Sequence, residues 1–148
     1  MKKPFKTSTT QIKIPLRYSK SQHLIGTFKL NGQTATLLID TGASNSCIDQ
    51  SKTALFNLIA EGDSLPLTGA GNEKLFAQSS QKSSLAYDDK EIIQIALMLI
   101  DMDTINTALK DQGEEAIDGI IGADILHKKK AIIDYHQCCL YLEEASWL

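Results

Sequence analysis

The chain has 148 residues, 43% of them hydrophobic and 22% charged. This composition fits one soluble globular domain that buries its own core without metal or disulfides. The formal net charge is only -3, with no long basic block, which argues against nucleic acid as a partner, since phosphate binding draws on clustered Lys and Arg.

Three cysteines cannot all pair within one chain, so a reducing, cytoplasmic setting is expected. The Lys- and Thr-rich start does not read as a secretion signal, and no apolar run reaches the length of a membrane span. Residues 1–10 are expected to form a loose arm and residues 11–148 the folded domain.

Ile12, Ile14 and Leu16 alternate with polar neighbours, so Gln11–Leu16 is a predicted strand. A second strand is expected over His23–Leu30 and a third over Gln33–Asp40, joined by the hairpin signal Asn31-Gly32. Thr41-Gly42-Ala43-Ser44 reads as a turn of small residues, and Asn45–Ile48 as a short strand. Asp49 or Ser51 can cap a helix over Lys52–Ala60, where Ala54, Leu55, Leu58 and Ile59 recur at helical spacing and Glu61-Gly62-Asp63 marks the stop.

Leu65–Ser79 reads as a hairpin with a glycine-rich tip. Gln81–Tyr87 and Glu91–Ile100 are two further expected strands. Asp103–Asp111 is expected to be a short helical insertion closed by Gly113. Ile117–Gly122 leads into a helix over Ala123–Lys130. Ala131–Tyr135 and Cys138–Leu142 close the chain as a hairpin, with Cys138 and Cys139 facing opposite sides of a strand. The sum is a mostly β domain with two or three short helices.

The segment that carries chemistry is Leu37-Leu38-Ile39-Asp40-Thr41-Gly42-Ala43-Ser44. Three apolar residues anchor a strand that ends in a carboxylate and then in small residues. Gly42 removes a side chain that would hold a substrate or another backbone at a distance. Amide hydrolysis without metal or covalent nucleophile needs a base to activate water and an acid for the leaving group. Two neighbouring carboxylates that share one proton supply both. The chain has one Asp-Thr-Gly, so the second carboxylate is expected from a second copy across a two-fold axis.

Leu38-Ile39-Asp40-Thr41-Gly42-Ala43-Ser44 resembles the active-site motif of retropepsins and their bacterial relatives. Ile117-Asp118-Gly119-Ile120-Ile121-Gly122-Ala123-Asp124-Ile125-Leu126 resembles the segment that buttresses that loop. Ile132-Ile133-Asp134-Tyr135 with Leu140-Tyr141-Leu142 resembles the closing hairpin of bacterial aspartyl-protease domains. The resemblance implies a retropepsin-like acid-protease barrel acting as a homodimer on peptide or protein substrates, without metal or cofactor. It implies Asp40 as the catalytic residue. Thr41, Gly42, Ala43 and Gly122 would support the active-site loop, and Thr68, Gly69, Ala70 and Gly71 would form a substrate-binding flap. Ala123 stands where retroviral enzymes carry Arg, and residues 102–115 form a longer stretch than in the viral enzymes. A catalytically inactive, dimeric peptide-binding module of the same fold is the alternative.

Asp118 and Asp124 are expected to be structural, one in a turn before glycine and one near a helix start. His23, His127 and His136 show no metal-ligand spacing. Cys47 is expected to be a small core residue.

Overall fold

The computed structural model describes residues 10–67 and 75–145. Among the described residues, twelve strands run in chain order: β1 (Gln11–Tyr18), β2 (Leu24–Leu30), β3 (Gln33–Ile39), β4 (Cys47–Asp49), β5 (Ala60–Leu67), β6 (Leu75–Ser80), β7 (Ser83–Tyr87), β8 (Lys90–Ile95), β9 (Met98–Ile100), β10 (Gly119–Ile121), β11 (Ile132–Asp134) and β12 (Cys139–Glu143). Two helices join them, α1 (Asp103–Asp111) and α2 (Ala123–Lys128). The mostly β expectation therefore holds, as does the insertion helix.

The β2–β3 hairpin is the frame. Asn31 and Gly32 both take positive φ, +48° and +84°, which suits the right-handed twist of a tight hairpin. β2 and β3 then pair from Leu30 with Gln33 to Leu24 with Ile39. Alternate side chains enter two separate cores. Leu24, Phe28, Leu30, Leu37 and Ile39 join the larger one with Ile12, Ile14 and Leu140. Ile25 and Leu38 join a smaller one with Cys47, Ala77, Ile100, Met102 and Ile117. Burial on both faces explains why Leu37-Leu38-Ile39 is continuously apolar rather than alternating.

The rest of the sheet wraps this hairpin. β12 pairs with β1 and β11, closing the chain's end onto its beginning. β10 lies parallel to β3, with Gly119 beside Leu37 and Ile121 beside Ile39. β4 pairs antiparallel with β10 and parallel with β9. Gly119 is required at that crossing, because a Cβ there would collide with the carbonyl oxygen of Cys47.

Four expectations need correction. Lys52–Ala60 is not a helix: a 3-10 turn spans only Gln50–Lys52, capped as expected by Asp49, whose carboxylate accepts from the Ser51 amide. One further turn follows, and Asn57 then adopts φ +52°, a conformation Asn tolerates and a helix does not. Phe56 and Leu58 are buried while Leu55 and Ile59 are exposed, so the alternation of a turn entering a strand prevails over the helical spacing. Gly62 does not stop an element but lies inside β5 at φ +80°, where the register against β6 shifts between Glu61 and Leu65. The expected strand Glu91–Ile100 is two strands: β8 pairs with β7, and β9 pairs with β4 and β6. Cys138 is not on a strand; it sits in the preceding turn at φ +52°, and Cys139 begins β12.

Candidate active site

Asp40 follows directly on β3. Its amide donates to the Ile121 carbonyl at 3.0 Å, extending the β3–β10 pairing by one bond. Its Oδ1 accepts from the Gly42 amide at 2.9 Å, and its carbonyl accepts from the Ala43 amide at 3.2 Å. The carboxylate is thus held by its own loop while remaining half-buried. A Cβ on Gly42 would stand 3.3 Å from Asp40 Oδ1, so the glycine keeps the surroundings of that oxygen open.

The loop from Asp40 to Ser46 is stitched to the start of α2. The Ala123 amide donates to the Ala43 carbonyl at 2.7 Å. The Ser46 amide donates to Asp124 Oδ2 at 2.9 Å, and the Ser46 hydroxyl donates to Asp124 Oδ1 at 2.6 Å. That hydroxyl also accepts from the Gly122 amide at 2.8 Å. Gly122 has no room for a side chain: a Cβ would lie 2.6 Å from the Ala43 carbonyl oxygen and 3.1 Å from the Asn45 carbonyl carbon. Ala43 and Gly122 therefore meet through their backbones.

Asp124 has a larger part than a helix-start anion, since it clamps the far end of the Asp40 loop. Ser46, 1% exposed, had no sequence signal, because its partner is 78 residues away. Asp118 is structural as expected. Its carboxylate accepts from the Thr36 amide at 2.8 Å and from Lys52 Nζ at 3.2 Å, bracing β10 against β3 and the 3-10 turn. Cys47 is buried beside the loop, and burial pushes its thiol up to about 11, with the charges of Asp124 and Asp40 adding to the effect. It is a core thiol, not a nucleophile.

Thr41 is exposed. It borders a groove of about 260 Å³ that is otherwise lined by Ala123, Leu126, His127, Ala131 and Ile133. The expected flap residues Thr68, Gly69, Ala70 and Gly71, and residues 1–9 of the expected 1–10 arm, lie outside the described residues. The strands leading to that tip, β5 and β6, do form the antiparallel hairpin expected of them. No group of three or more His, Cys, Asp or Glu side chains among the described residues could hold a metal ion. No helix among them is long and apolar enough to cross a membrane.

A family model described as aspartyl protease matches residues 26–125, about two thirds of the chain, and spans both the Asp40 loop and its buttress. The chain belongs to the aspartyl protease family. Its fold is retropepsin-like. The retroviral protease-like domain of Ddi1 from Leishmania major superposes with a TM-score of 0.58 at 17% identity, over 82% of this chain and 91% of that one. A retropepsin-like aspartic protease from Rickettsia conorii gives 0.55 at 16% identity, over 97% and 100%. The protease of EIAV, solved with the inhibitor HBY-793, gives 0.51 at 18% identity, over 80% and 98%. No curated protein matches the chain in sequence.

Proposed function

We propose that this aspartyl protease is an endopeptidase that works as a homodimer, with Asp40 of each subunit forming one catalytic pair. The observation that carries this is the fixed, half-buried Asp40 carboxylate at the end of β3, on a loop held by Gly122, Ala123 and Asp124. One such carboxylate is half of a mechanism. Two of them facing each other across a two-fold axis share one proton, because their like charges oppose double ionisation.

In the reaction, the ionised Asp40 takes a proton from a water held between the pair. The water oxygen attacks the peptide carbonyl carbon, and the protonated Asp40 donates its proton to the carbonyl oxygen. Breakdown of the tetrahedral intermediate returns a proton to the leaving nitrogen as the C–N bond breaks. Rigid placement matters more than added chemistry here, since the reacting atoms must meet within a narrow geometry.

The exposed Thr41 and the largely apolar groove beside it support a subunit contact next to the catalytic loop. The hairpin β5–β6 supports a flap whose tip would be Thr68, Gly69, Ala70 and Gly71, closing over an extended peptide. Three unpaired thiols, Cys47, Cys138 and Cys139, fit a reducing, cytoplasmic compartment.

The test is Asp40→Asn. Peptide cleavage by the wild type, lost in the variant with dimer and fold intact, is the expected result. Undiminished cleavage by the variant would remove Asp40 from the mechanism. Peptide binding by the wild type without turnover would favour the inactive peptide-binding module.

A further inference from the structure

The β2–β3 register carries a second polar cluster to the level of Asp40. Leu24 pairs with Ile39 and Ile25 with Leu38, so His23 and Asp40 are the residues immediately beyond the last pair of this ladder. Paired residues in antiparallel strands share a face. Leu24 and Ile39 face the larger core, while Ile25 and Leu38 face the smaller. Alternation continued one residue beyond the ladder would put His23 and Asp40 on the face of the smaller core. His23 is exposed there.

His23 is held from behind. Ser21 Oγ lies 2.6 Å from His23 Nδ1 and donates to Glu114 Oε1 and Oε2 at 2.9 and 2.8 Å. The Ser21 amide also donates to Glu114 Oε1, at 3.2 Å. A carboxylate only accepts, so the single hydroxyl proton of Ser21 belongs to Glu114. Ser21 Oγ must then accept from Nδ1–H of His23. The proton is thereby fixed on Nδ1, and Nε2 is left for an outside partner. The turn itself is closed by the Ser19 amide donating to the His23 carbonyl at 2.8 Å and the His23 amide donating to Ser19 Oγ at 3.0 Å.

Glu114 comes from the segment after α1. That segment is moored by Arg17, whose Nε and one terminal nitrogen each donate to Glu115 at 2.9 Å. Glu114 is only 9% exposed. A buried carboxylate that accepts from both the amide and the hydroxyl of Ser21 needs a reason, and an oriented imidazole supplies one.

We propose that His23 is a specificity-determining residue, set by Glu114 through Ser21, whose Nε2 hydrogen-bonds a polar side chain of the peptide at this end of the cleft. The inference rests on the peptide-cleft reading above. It assigns the insertion a role in substrate choice rather than in catalysis.

The probe is a positional library of decapeptides in which each position in turn carries Ala or one of Ser, Thr, Asn, Gln, Asp and Glu. The wild type is expected to prefer a polar residue over Ala at one position near the scissile bond, by about three- to tenfold in kcat/KM. His23→Phe, which keeps a ring but no nitrogen, brings that ratio close to one. Ser21→Ala, which frees the imidazole, lowers it part of the way. An unchanged ratio in His23→Phe, or no polar preference in the wild type, overturns the proposal. Should the wild type cut none of the peptides, the catalytic reading fails on its own. The same ratio is then read as affinity, by fluorescence anisotropy of labelled peptides. A polar preference abolished by His23→Phe upholds the proposal, and equal affinities or no binding overturn it.

Discussion

Ser46 and Asp124 are joined twice, hydroxyl to Oδ1 at 2.6 Å and amide to Oδ2 at 2.9 Å. The same hydroxyl receives the Gly122 amide, so one buried serine ties the end of the Asp40 loop to the start of α2. Ser46→Ala removes the acceptor of the Gly122 amide and leaves Asp124 Oδ1 with the Ile125 amide alone. It is expected to cost about 1–3 kcal/mol in urea denaturation. Ser46→Thr, which keeps the hydroxyl, is expected to lose less. Cleavage should fall chiefly in kcat, because the loop that loosens carries Asp40 rather than a peptide pocket.

Gly122→Ala tests the backbone contact. Its Cβ would meet the Ala43 carbonyl oxygen at 2.6 Å and the Asn45 carbonyl carbon at 3.1 Å. Neither can move without shifting the loop. Overpacking of this kind costs about 1–3 kcal/mol, readable as a lower midpoint in a thermal melt. Loss of cleavage should exceed what the stability change explains, since small misplacements of reacting groups are costly.

The strands around Asp40 were largely legible in the sequence. Asn31-Gly32, the alternation in β1 and the unbroken Leu37-Leu38-Ile39 each report a local requirement. Lys52–Ala60 misled because Leu55 and Ile59 imitate a helical stripe while Phe56 and Leu58 are the residues the core takes. The Ser46–Asp124 and Ser21–Glu114 bonds were not legible. Each joins residues 78 or 93 apart, and short-range pattern holds no information about which distant carboxylate a serine will meet.

Cys47 makes alkaline stability a measurable consequence. Burial raises its thiol from near 9 to about 11, so the folded state holds the proton longer than the unfolded chain. Stability from this group is complete below about pH 9 and declines as pH rises towards 11, by about 1.4 kcal/mol per pH unit at most. Chemical denaturation of wild type and Cys47→Ala at several pH values isolates it. The difference between the two should shrink across that window and stay flat below it. The folded thiol should also resist iodoacetamide at pH 8 and react on unfolding.

Glu114 gives the opposite sign. Hydrogen bonds from the hydroxyls of Ser19 and Ser21 hold its carboxyl below the usual carboxylate range. Its contribution is present above the ordinary carboxylate pKa and is lost as pH falls through the lowered folded value. Glu114→Gln should therefore be destabilising at neutral pH and approach the wild type in acid. Paired denaturation curves from neutral pH down to about pH 3 would show the two converge.

The central claim is that each active site needs Asp40 from two subunits, and subunit mixing tests it most directly. Wild type is allowed to exchange with increasing amounts of Asp40→Asn at constant total protein, and peptide cleavage is measured. Activity should fall with the square of the wild-type fraction, because only dimers with two Asp40 carboxylates cut. Activity that falls only in proportion to the wild-type fraction, or more slowly, with exchange verified by mass, would mean that one Asp40 suffices and would contradict the account.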